Sequence, residues 1–78
     1  MNVYVLLLES GCYEDYATVI NSIHQTIQGA LSAGDECAES LGFMGDWEDE
    51  QDVKRLYDRP DRTWDSDFLE IRELVVRD

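Results

Sequence analysis

Basic residues are scarce in this chain and missing from its first two-thirds. Six lysines and arginines stand against 18 aspartates and glutamates, for a net charge of −12. The first base is Lys54, so residues 1–53 carry 11 acids and no lysine or arginine. Residues 54–78 hold all 6 bases with the other 7 acids, which divides the charge into −11 and −1. Phosphate affinity comes from lysine and arginine, so direct binding to DNA or RNA is not expected. A field of one sign instead repels nucleic acid and attracts basic surfaces. Lys54, Arg55, Arg59 and Arg62 are interleaved with Asp58, Asp61 and Asp65, which reads as local pairing or a small bridge to a partner rather than a phosphate track.

Other shortages narrow the chemistry. There are 2 cysteines, Cys12 and Cys37, in no CxxC pair, so reduced thiols and a cytoplasmic location are expected. His24 is the only histidine and sits where a strand meets a helix, a place for a structural hydrogen bond. Nothing in the spacing requires a Cys12–His24 dyad, and zinc ligands of the usual type are few and scattered. Residues 46–52 resemble the acidic half of a calcium loop. An EF-hand wants glycine at its sixth position and glutamate at its twelfth, and here Gln51 and Tyr57 stand there. No glycine-rich phosphate loop and no nucleophile elbow is present. The expectation is a non-enzymatic protein without cofactor or metal. No apolar run reaches the ~20 residues of a membrane span, and residues 1–8 lack a basic segment and a cleavage site, so they read as a strand rather than a signal peptide.

With 78 residues and a hydrophobic fraction of 44%, the chain reads as a single α+β domain, 1–78, with one modest core. Residues 2–9, NVYVLLLE, are apolar almost throughout, as in a central strand. Residues 16–23 fit either a strand or the start of a helical stripe, and the β-branched Thr18, Val19, Ile20 and Ile23 favour the strand. A helix is expected from the cap Thr26 to Leu41, with Ile27, Ala30, Leu31, Gly34, Ala38 and Leu41 inward and Gly42 as its stop. Gly34-Asp35 is a candidate kink. A second, acidic helix is expected over 46–58, capped by Asp46, supported by a Glu50–Lys54 pair and ended by Pro60. A polar loop around Trp64 leads to a last strand over 67–77 with imperfect alternation, which suggests a bulge. The expected fold is ββα(α)β: a three-stranded, mainly antiparallel sheet of order 2-1-3, one main helix and a short acidic one. With Val5, Leu7, Val19 and Ile23 toward the helix, Tyr4, Leu6, Leu8 and Ile20 would face outward. The acidic helix with the Trp64 loop, or a second copy in a homodimer, would then cover that face.

The segment Ser10-Gly11-Cys12-Tyr13-Glu14-Asp15-Tyr16, with Val3-Tyr4-Val5 before it and Ile23-His24-Gln25-Thr26 and Gly29-Ala30 after it, resembles the opening of a group of small bacterial and phage proteins. Those begin with a strand, an SGxYxDY turn, a second strand and a Thr-started helix. The resemblance covers residues 3–30, implies a ββα opening with 16–23 as a strand, and implies no chemistry. By size and charge alone the chain is also similar to phage anti-CRISPR and anti-restriction proteins that mimic DNA.

The candidate site is the acidic segment. Asp35, Glu36, Glu39, Asp46, Glu48, Asp49, Glu50 and Asp52 are eight acids between residues 35 and 52 without one base. Trp47 lies among them as a hot-spot anchor or as a cap on the core. Duplex DNA carries about one negative charge per 1.7 Å of axis, so a run of carboxylates can imitate it. The leading expectation is a phage-type inhibitor that offers this face to a basic, nucleic-acid-binding host protein, with reversal of Glu48, Asp49 and Asp52 abolishing binding. The alternative is a small homo-oligomeric structural or adaptor module whose acidity serves solubility.

Overall fold

The computed structural model describes residues 1–10, 17–60 and 66–77. The elements run β1 Asn2–Ser10, β2 Ala17–His24, α1 Ile27–Leu41, β3 Trp47–Glu50, β4 Val53–Tyr57 and β5 Phe68–Val75. The strands form one five-stranded sheet in the order β2-β1-β5-β4-β3, antiparallel at every pairing. This corrects the three-stranded sheet with two helices: the class is α+β, but two more strands take the place of the acidic helix. Helix α1 packs on one face and no described helix covers the other.

Helix α1 begins where a capping residue offers it a partner. The Thr26 side chain accepts from the Gly29 N–H at 3.0 Å. It runs unbroken through Gly34-Asp35 to a left-handed Gly42, φ +75°, whose N–H meets the last carbonyls. Ala30, Gly34 and Ala38 are its buried residues, while Leu41 is exposed. Small residues on that stripe let the helix lie close to the sheet. Gly34 in particular leaves room for Trp47: a Cβ there would stand 2.4 Å from the indole Cζ2.

Residues 46–58 form a hairpin, not a helix. Trp47 pairs with Leu56, Glu48 with Arg55, Asp49 with Lys54 and Glu50 with Val53, leaving Gln51-Asp52 as the loop. Gln51 takes φ +54°, the left-handed conformation such tight loops require. An i,i+4 ion pair on a helix stabilises by only ~0.2–0.5 kcal/mol, whereas burying a large apolar side chain is worth ~1.5–3 kcal/mol. The hairpin turns Trp47 and Leu56 together toward the core, and that burial outweighs the helical charge pattern.

The core lies between α1 and the sheet, around Leu6, Ala30, Ala38, Leu56, Leu69 and Ile71, with Tyr4, Leu8, Ile27, Leu31 and Trp47 packed against it. The faces of β1 are therefore opposite to expectation: Tyr4, Leu6 and Leu8 meet the helix. Val5 and Leu7 lie on the other face yet are buried there. A register break in the β1–β2 ladder between Leu6 and Leu7 leaves Asn21 as an extra residue. It sets Ile20 opposite Leu7 and Ile23 opposite Val5, so both isoleucines share the helix-free face. Val19 falls opposite Leu8, on the helix face. The bulge expected in the last strand is here instead; β5 pairs with β1 without a break from Phe68 to Val75.

Candidate protein-binding surface

The acidic segment belongs to two neighbouring elements, the C-terminal half of α1 and the edge strand β3. What joins them is Trp47. Its ring packs against the core beside Gly34, and its Nε1–H donates to Asp35 Oδ1 at 2.8 Å. Trp47 is thus half-buried and ties the helix to the sheet edge.

The nine candidate residues do not share one flat face. Asp35, four residues before Glu39 on the helix, leans toward β3. Glu36 lies on the other flank, beside Asn21, Ser22 and His24 of β2. On the hairpin, Trp47 and Asp49 point to the helix side, and Glu48 and Glu50 to the opposite side. Because β3 ends the sheet, these carboxylates wrap around its rim. Asp46 and Asp52 flank the strand at its two ends, both exposed.

Only part of this charge is offset by described bases. Lys54 Nζ lies 2.6 Å from Asp49 Oδ1, and Arg55 Nη1 lies 2.9 Å from Glu50 Oε2. The Glu50–Lys54 pair expected of a helix is replaced by these cross-strand partners. Asp35, Glu36, Glu39, Asp46 and Asp52 make no ion pair with a described base. No basic residue stands in the last turn of α1, so Glu39 within it sits against the negative end of the helix dipole.

The sequence did not reveal a second charged group, on the helix-free face. Glu70 is fully buried, and two guanidinium groups hold it: Arg55 Nε donates at 2.8 Å and Arg72 Nη2 at 2.6 Å. Arg55 also reaches Glu50, whose carboxylate accepts from the Tyr57 hydroxyl at 3.0 Å. The Arg55 guanidinium lies 4.8 Å from the Phe68 ring centre. Burial acts to lower the Arg55 pKa, but hydrogen bonds and charge from Glu70 and Tyr57 outweigh it and hold the group above its ordinary value. The clue in the sequence was the Glu70–Arg72 spacing of two, which puts opposite charges on one face of a strand.

Elsewhere the geometry offers little chemistry. A hollow of about 240 Å3 on the helix face is lined by Tyr4, Ile27, Lys54 and Glu73 among others. The Tyr4 phenol is raised above its ordinary value, first by a hydrogen bond with Glu73, then by burial and by the Glu73 charge. His24 Nε2 lies 2.7 Å from the Ser22 hydroxyl, the local bond expected of it. Cys37 is half-buried and lies 3.7 Å from the Asn21 amide nitrogen. Among the described residues no group of three or more metal-ligand side chains converges, and no helix is long and apolar enough to cross a membrane. Cys12, the SGxYxDY turn beyond Ser10, and Trp64 lie outside the described residues. Comparison with protein-family models, with curated proteins and with solved structures gave no match.

Proposed function

We propose that this protein acts without catalysis, by presenting its acidic rim to a basic protein surface of the kind that otherwise holds nucleic acid. The observation that supports the reading is the placement of Asp35, Glu39, Asp46 and Asp52 on adjoining elements, with Glu36 apart on the β2 flank; Asp35 is held by the Trp47 bond, and none of the four is offset by a described base. A solubilising surface needs only dispersed charge. Here acids are concentrated without an intervening base, and Glu39 sits in the last turn of α1, where the dipole disfavours it, a local conflict that often marks function. An edge strand carrying carboxylates on both faces can enter a basic groove. Inhibition of the anti-CRISPR or anti-restriction kind would then be occlusion of a nucleic-acid site, with fast and salt-sensitive association.

The structure changes which residues best test this. Asp49 is bonded to Lys54, so its reversal would disturb the hairpin as well as the surface. Glu39→Lys, Asp46→Lys and Asp52→Lys together alter exposed carboxylates without breaking a described ion pair. The wild-type protein should capture a basic partner from host lysate at low salt and lose it at high salt. The triple variant should lose it at low salt while keeping its circular dichroism spectrum. Equal capture by the triple variant would falsify the reading.

A further inference from the structure

Strand β2 ends the sheet on the side opposite the acidic rim. It lies in the longest stretch of the chain without charge: residues 17–34 contain no Asp, Glu, Lys or Arg. Natural sheets protect their edges with short strands and charged side chains. Strand β3 has both, with four residues of sequence WEDE. Strand β2 has neither, and of the other edge devices it carries only the break at Asn21: it spans 8 residues, ATVINSIH, and leaves Val19, Ile20 and Ile23 more than half exposed at 53%, 63% and 61%.

We propose that β2 pairs edge to edge with β2 of a second copy of this chain, antiparallel about a two-fold axis, to make one continuous sheet. Charge selects the occupant. Two molecules of net charge −12 repel one another over most approaches. The edge of β2 is where a second copy meets no carboxylate on the strand itself. A strand from a basic partner finds little there to attract it: the acids of the hairpin lie at the other end of the sheet, and Glu36 of α1 is the one carboxylate bordering β2 on the helix face. Antiparallel pairing of a strand with itself is self-complementary, as a two-fold interface requires.

The side chains also fix a register. An axis between Asn21 and Ser22 sets Ile20 opposite Ile23 of the second copy, and both lie on the helix-free face. The two copies then bring their isoleucines together on that face, beside the buried Val5 and Leu7. On the other face the same register sets Val19 opposite His24 of the second copy. A hollow of about 470 Å3, lined by Asn21, Ser22, His24, Ala33 and Cys37 and bordered by Glu36, is there to receive it. The register break at Asn21 makes this matching work: with strict alternation Ile20 and Ile23 would fall on opposite faces.

The test is sedimentation equilibrium of the full chain over a concentration series, at low and high salt. The expected result is a species of twice the 9.0 kDa protomer mass that forms more readily as salt rises, because salt screens the mutual repulsion. Binding of a basic partner at the acidic rim weakens with salt, so the two interactions have opposite salt dependence and can fail independently. Ile20→Lys with Ile23→Lys should abolish the dimer and leave a protomer with the wild-type circular dichroism spectrum. Should that variant fail to fold, hydrogen exchange on the wild-type protein is the second reading, with β2 amides becoming protected as concentration rises. A protomer mass at every concentration and salt overturns the proposal. So does a dimer that survives the folded double lysine variant, or β2 exchange independent of concentration.

Discussion

Gln51 and Gly34 hold unusual positions for different reasons. Gln51 carries a side chain at φ +54°, where glycine pays no steric cost. Gln51→Gly should therefore raise stability by about 0.5–1 kcal/mol, seen as a higher urea midpoint with an unchanged m value. Gly34 has an ordinary helical backbone, but a Cβ there would stand 2.4 Å and 2.9 Å from two indole carbons of Trp47. Gly34→Ala improves helix propensity by about 1 kcal/mol yet overpacks the core by about 1–3 kcal/mol. The expected net is a loss of stability with a shift in Trp47 fluorescence, since the indole must move away from Asp35. A more stable Gly34→Ala protein with unchanged emission would show that the ring has room to spare.

Between elements, the Arg55–Glu70–Arg72 group fastens β4 to β5 on the face that no helix covers. Glu70 has no access to water, whereas Arg55 and Arg72 remain partly exposed. Removing a guanidinium should cost more than removing the carboxylate, because it leaves a buried negative charge with one partner. We expect Arg55→Leu to destabilise by about 2–4 kcal/mol and Glu70→Leu by less, with the double variant milder than the sum. Chemical denaturation of the three variants measures this, and additive losses would mean that the residues act separately. The C-terminal end of α1 runs the other way. Glu39→Lys removes an unfavourable dipole interaction and should gain about 0.3–1 kcal/mol at low salt. If the acidic rim is functional, this more stable variant binds its partner less well.

For the molecule as a whole, the two sides of the sheet differ in kind. One end is a short, charged strand tied to the helix by Trp47, and the other a long, neutral strand. A net charge of −12 on 78 residues favours expansion, since self-repulsion weakens the compact state. Neutral salt should accordingly raise the thermal midpoint by a few degrees, at protein concentrations low enough to exclude association. A midpoint that falls with salt would show that the ion pairs of the β3–β4–β5 face outweigh the repulsion of the rim.

The sequence by itself determined the features that rest on local chemistry. Thr26 and Gly42 marked the helix ends, the apolar run of residues 2–9 marked a strand, and the acid count between residues 35 and 52 marked the rim. The α+β class follows from those. Tertiary structure decided what depends on residues far apart. In the 46–58 segment, caps and spaced charges favoured a helix until burial of Trp47 and Leu56 against α1 made it a hairpin. Face assignment failed for a related reason: β1 is apolar on both sides, so alternation cannot say which side meets the helix. One extra residue at Asn21 then moved Ile20 to the side of Ile23, which no period-two reading could show. Nothing local singles Glu70 out from the other acids of residues 54–78. It is buried because sheet pairing brings Arg55 and Arg72 to it, and that pairing exists only once the chain has folded.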